Sequence, residues 1–193
     1  MKIGLFFGTY NPIHVGHMVI ANYMVEFTEL DRIWIVVSPH NPFKEKKSLL
    51  ADYHRLQLVR IAIGDDIRFK ASDIEFKLPQ PSYTIHTLAY LKEKYPENEY
   101  VLVMGADNLK NFHKWKNYEE ILKEHEIYVY PRIEGNNIGE LKNHPKVSFH
   151  EAPIMRISSS FIRESISAKK DVRHYMPKDV YEYIEEMHFY EKI

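Results

Sequence analysis

The chain has 193 residues, of which 45% are hydrophobic and 27% charged, with a formal net charge of −1. That length suits one domain with a full core, or one domain with a small appendage. The near-neutral balance excludes the broad basic surface of a bulk nucleic-acid binder. The absence of cysteine excludes disulfides, thiolate metal sites and a cysteine nucleophile.

The start, Met1-Lys2-Ile3-Gly4, runs straight into a strand pattern without a signal peptide, and no apolar run is long enough to span a bilayer. A cytoplasmic protein without a membrane partner is expected. In chain order the patterning predicts strand 2–8, helix 14–27, strand 32–38, helix 53–63, strand 67–71 and helix 83–94. Strand 99–104, helix 118–125, strands 126–130 and 147–150, and helices 159–167 and 178–187 follow. Runs such as Ile33-Trp34-Ile35-Val36-Val37 and Tyr100-Val101-Leu102-Val103 do not alternate. They suit strands buried on both faces of a parallel sheet. The expectation is an α/β fold, a doubly wound and mostly parallel sheet forming one domain over 1–193, with a C-terminal helical portion from about 158. In such folds ligands gather at the carboxyl ends of the strands.

The first strand ends in Gly8-Thr9-Tyr10-Asn11-Pro12-Ile13-His14-Val15-Gly16-His17. A strand, a tight loop and a helix start in that order build an anion site, because the first-turn N–H groups lack partners and the helix dipole adds positive potential. His14 and His17 stand three apart and share one face of the turn. Gly16 between them presents no side chain to block an approaching anion. As a metal pair the two histidines would lack a third ligand. After the second strand, 38–47 carries two prolines, His40 and three lysines, Lys44, Lys46 and Lys47. It reads either as a solvated loop or as counter-charge for a polyphosphate. A second helix start, Ile157-Ser158-Ser159-Ser160-Phe161-Ile162-Arg163, offers N-capping hydroxyls and an arginine that leans back toward them.

These segments resemble the two signature motifs of the nucleotidyltransferase superfamily, G-T-F-D/N-P-x-H-x-G-H and I-S-S-T/S-x-I-R. Ser38-Pro39-His40-Asn41-Pro42-Phe43-Lys44, Pro81-Ser82-Tyr83-Thr84-Ile85-His86-Thr87-Leu88 and Met104-Gly105-Ala106-Asp107-Asn108-Leu109 with Trp115 are similar to segments of bacterial nicotinate-mononucleotide adenylyltransferases. The match runs from about residue 3 to 166. Phe7, Tyr10 and His86 depart from the family pattern, where a small residue, a Phe and an Asp are usual.

The resemblance implies a Rossmann-like nucleotidyltransferase fold and the reaction of ATP with nicotinate mononucleotide to give nicotinate adenine dinucleotide and pyrophosphate. It implies His14, His17, Lys44 and Arg163 as catalytic residues. For ATP it implies Gly8, Thr9, Gly16, Gly105, Asp107, Ile157, Ser158, Ser159 and Ser160 besides His14, His17 and Arg163. For nicotinate mononucleotide it implies Thr9, Tyr10, Asn11, Lys44, Tyr83, Thr84, Asn111 and Trp115. From the residues alone, Asp107 reads equally as a helix cap and Trp115 equally as core. Mg²⁺ is expected to enter on the ATP phosphates with no protein ligand. The incoming phosphate monoester is already ionised, so the enzyme supplies alignment and positive potential rather than a base. Adenylyltransferases acting on nicotinamide mononucleotide or phosphopantetheine, and a non-catalytic nucleotide-binding protein, are the alternatives. A homo-oligomer is left open.

Overall fold

A computed structural model describes residues 1–39, 48–132 and 140–192. Six parallel strands form one sheet: β1 Lys2–Gly8, β2 Arg32–Val37, β3 Phe69–Ser72, β4 Glu99–Gly105, β5 Ile127–Tyr130 and β6 Val147–Phe149. Their order is β3-β2-β1-β4-β5-β6, and every neighbouring pair is parallel. The two outer strands have four and three residues, which limits the unpaired backbone at the edges.

The non-alternating runs have the expected cause. Alternate strand residues enter two separate cores. One face carries Phe6, Ile33, Ile35, Val37, Val101, Val103 and Tyr128. It is covered by α1 Val15–Phe27, α2 Asp52–Ile63, α6 Ser159–Ser167 and α7 Lys178–Glu186. The other carries Ile3, Leu5, Trp34, Val36, Leu102, Met104, Ile127 and Val129. There α3 Thr84–Lys94, the five-residue α4 Ala106–Lys110 and α5 Tyr118–Glu124 complete the packing.

Most boundaries fall within one or two residues of the sequence reading. The third strand begins at Phe69 rather than Ile67, and Ile67 is 79% exposed. Four short features went unforeseen besides α4: the 3₁₀ turns Ile74–Lys77, Phe112–Lys114, Glu140–Asn143 and Arg173–Tyr175. The order of connection reverses between β1 and β4, so their carboxyl ends flank a crevice where helices on both sides turn away. Gly8 and Gly105, the last residues of these strands, open the loops that build the site.

Candidate active site

The loop leaving β1 is folded back on the strand that precedes it. Tyr10 takes a left-handed φ of 46°, is buried, and donates its hydroxyl to the Phe6 carbonyl at 2.6 Å. Its ring lies against Gly8, where a Cβ would come within 2.9 Å of the ring. Asn11 is also buried. Its Oδ1 accepts the Leu50 N–H at 3.2 Å and the Tyr190 hydroxyl at 2.8 Å, and its Nδ2 donates to the Ser48 carbonyl at 2.8 Å. The side chains of Tyr10 and Asn11 are thus committed inward, and only their backbone is left to meet a ligand. Thr9 is exposed.

His14 caps α1 in an extended conformation. Its ring stacks on that of His17 with centroids 3.7 Å apart and planes inclined by 25°. Burial holds the His14 imidazole down to a pKa of about 4, with the Arg132 charge acting the same way. Burial also lowers His17 well below the ordinary imidazole range, helped by His14 and Arg132. Both rings are therefore neutral near pH 7, and each carries one N–H. The His17 Nδ1 accepts the His14 backbone N–H at 3.2 Å. That contact places the ring proton on Nε2 and makes His17 a fixed donor. Gly16 is what lets the pair stack, since a Cβ there would lie 3.1 Å from Cε1 and Nδ1 of the His14 ring.

These residues line one side of a cleft of about 790 Å³. Pro153–Ser159, Asp107, Pro131 and Arg132 line the same cleft. Ser158 caps α6, and its hydroxyl accepts the Phe161 N–H at 3.1 Å. Ile157, Ser158 and Ser159 reach the cleft. The Ser159 hydroxyl donates to the Pro12 carbonyl at 2.8 Å. Arg163 donates through Nη1 to the Asn11 carbonyl at 2.8 Å and through Nη2 to the Ser160 hydroxyl at 3.2 Å. Its guanidinium thus braces the loop from behind, with Nε enclosed and unpaired among the described residues. Lys44 lies outside the described residues.

Gly105 ends β4 where a Cβ would come within 2.3 Å of Asp107 Oδ1 and 3.0 Å of Arg132 Nε, so a side chain there would displace that pair. Asp107 faces Arg132 at 3.5 Å, with 51% and 38% of the two side chains exposed. Arg132 also lies over the Tyr130 ring, its guanidinium carbon 5.2 Å from the centroid. So open an ion pair adds little stability and leaves both groups accessible to a ligand. Sequence reading passed over Arg132, although a cation leaving a strand's carboxyl end is the signal that singled out Lys44.

Of the residues proposed for the acceptor, Tyr83, Thr84, Asn111 and Trp115 belong to the segments that pack on the other core. Tyr83 is the N-cap of α3 and Thr84 its first residue. Trp115 tilts against Phe112 with centroids 5.0 Å apart. It borders a small recess between β1 and β4 that Phe7, Met104, Asn108 and Tyr130 share. Lys116 brings the two segments together, its Nζ standing 4.4 Å from the centre of the Tyr83 ring. Asn111 is exposed and accepts Lys114 Nζ at 3.2 Å.

Comparison with known proteins agrees with this geometry. The chain matches the cytidylyltransferase-like family over residues 5–165. It is 60% identical over 194 residues to a protein of Flavobacterium johnsoniae named probable nicotinate-nucleotide adenylyltransferase, with both chains covered in full. A Flavobacterium psychrophilum protein of the same name is 55% identical over 193 residues, again with full coverage of both. The fold is that of the Plasmodium falciparum nicotinic acid mononucleotide adenylyltransferase solved with NaAD, at a TM-score of 0.80, 21% identity, and 98% and 97% coverage of the two chains. With its paired histidines at the β1–β4 crevice and its full-length likeness to these relatives, the chain belongs to the nicotinate-nucleotide adenylyltransferases of the cytidylyltransferase-like family.

Proposed function

We propose that the protein transfers the adenylyl group of ATP to nicotinate mononucleotide. An oxygen of the mononucleotide phosphate forms a bond to the α-phosphorus, the bond from that phosphorus to the β-phosphate bridge breaks, and pyrophosphate leaves. The observation that carries this reading is the neutral histidine pair, with the His17 Nε2–H held as a donor beside a helix start. A neutral donor of fixed direction suits charge that develops on phosphate oxygens, and it needs no reorganisation when the charge appears.

The attacking phosphate carries close to two charges at neutral pH, so proton removal is not a task for either imidazole. His14, His17 and the Gly16 backbone address the α- and β-phosphates. Ser158 and the start of α6 line the same cleft, and Arg132 supplies full charge there. Asp107 suits the adenosine ribose and Trp115 the pyridine ring. Lys44 is assigned to the leaving pyrophosphate. Asp107 is the one carboxylate lining the cleft among the described residues, and it faces Arg132. That donor set does not make a protein-held Mg²⁺ site, so the ion enters with the triphosphate.

The test is pyrophosphate release from ATP and Mg²⁺ with nicotinate mononucleotide, nicotinamide mononucleotide or phosphopantetheine. Release with the first at a kcat/KM at least about tenfold above the others, a discrimination of about 1.4 kcal/mol, is expected. No release with it overturns the assignment.

A further inference from the structure

The phosphate loop is held by groups that never reach the cleft. Arg55 of α2 is completely buried, yet its guanidinium reaches three stretches of backbone. Nη1 donates to the Thr9 carbonyl at 2.6 Å and to the Ser38 carbonyl at 2.8 Å, while Nε donates to the Leu50 carbonyl at 3.0 Å. Nη2 meets Asp52 Oδ1 at 2.5 Å, which balances the buried charge.

From the far end of the chain, the Tyr190 hydroxyl reaches Asn11 Oδ1 at 2.8 Å in a buried contact. Tyr190 has a φ of 66° and His188 a φ of 54°. Non-glycine residues keep such left-handed conformations where the surroundings over-determine them, often at functional sites. Because C=O and the following N–H of a trans peptide point in opposite directions, holding the Thr9 carbonyl from inside turns the Tyr10 N–H the other way. An anion loop depends on that polarity.

We propose that Arg55 and Tyr190 are positioning residues of the transfer reaction, fixing the phosphate loop through Thr9 and Asn11 without touching substrate. The inference rests on the reading of 9–17 as the phosphate loop. A purely architectural role would lower the melting temperature and leave turnover by the folded enzyme intact, whereas a positioning role lowers kcat.

The experiment uses the full chain with Tyr190→Phe, Arg55→Lys and the double variant, each characterised by kcat, both KM values and thermal melting. For Tyr190→Phe a melting shift of no more than about 4 °C is expected. Its kcat should fall about fivefold or more, because small misplacements of reacting groups cost rate steeply. Arg55→Lys should lose at least about tenfold on the same argument, and the double variant should lose less than the product of the two, since both act on one loop. A folded Tyr190→Phe enzyme with kcat within about twofold of the parent overturns the proposal, and it remains decisive should Arg55→Lys fail to fold. If the parent turns over no acceptor at all, the functional assignment fails on its own. Positioning is then read from the binding of a non-hydrolysable ATP analogue, which should weaken in both variants, and unchanged binding overturns it.

Discussion

Acidification offers a direct check on the histidine pair. Burial holds the His14 pKa near 4 in the folded protein, against an unfolded value of about 6.5. The folded state resists the proton that the unfolded state accepts, so the stability associated with this ring is complete above about pH 6.5. It is lost progressively as the pH falls from there toward 4, and no further below. Linkage over that window gives a loss of roughly 2 kcal/mol between pH 8 and pH 5 from His14 alone. His17 is shifted in the same direction. Glu75, a buried carboxyl whose pKa is raised by burial, works the opposite way, so the total change is not diagnostic. Urea unfolding of the parent and His14→Asn at both pH values removes such shared contributions. The parent should lose about 2 kcal/mol more than the variant. Equal losses, or an NMR titration of the His14 ring centred near 6.5, would refute the neutral-pair argument.

Three further changes separate the parts of the site. His17→Ala removes a donor aimed at developing charge and should lower kcat by about 10²–10³, while circular dichroism stays that of the parent; near-normal turnover would refute its role. Gly16→Ala places a methyl 3.1 Å from the His14 ring, which is already stacked on His17 and has no free direction to yield. A fall in kcat of about tenfold with a smaller change in KM is expected from the few tenths of an ångström of displacement, measured by steady-state kinetics. Burial is the main cause of the lowered imidazole pKa values, and Arg132→Gln removes a charge that adds to it, so NMR should show both values rising in part while the KM for ATP increases about fivefold or more, as for a lost charge-assisted contact.

The strands were legible because four of them are buried on both faces, and only such strands combine short apolar runs with no alternation. Ile67 was misread as strand because its β-branched side chain fits the pattern, although it lies in the exposed turn before Phe69. A helix of five residues such as α4 has too little length to display a period, and the 3₁₀ turns share that fate. At the site, the sequence named residues but not the direction in which each faces. Tyr10 and Asn11 belong to the motif, yet their side chains point into the protein. Arg55 left a visible sign, a cation among Leu56, Leu58 and Val59 on a core-facing helix, and a buried arginine is rare enough to ask for partners. Tyr190 left none. Only the turn beyond α7 carries the Tyr190 hydroxyl to Asn11.

The direction of Arg163 changes how the two motifs relate. Read as a sequence, Ser158–Arg163 is a second hand on the triphosphate, set opposite the first. In the structure Ser159 and Arg163 hold the Pro12 and Asn11 carbonyls, and Ser159 lines the cleft beside Ile157 and Ser158. Part of the second motif therefore acts through the first. With both histidines neutral, full positive charge in the described part of the cleft comes from Arg132 and Arg156, and the remaining potential comes from N–H groups whose orientation the bracing sets. A site built this way stabilises charge by direction more than by net charge. That fits a chain whose overall balance is −1, and it places the ionisable step of the reaction on the phosphate of the incoming nucleotide rather than on the protein.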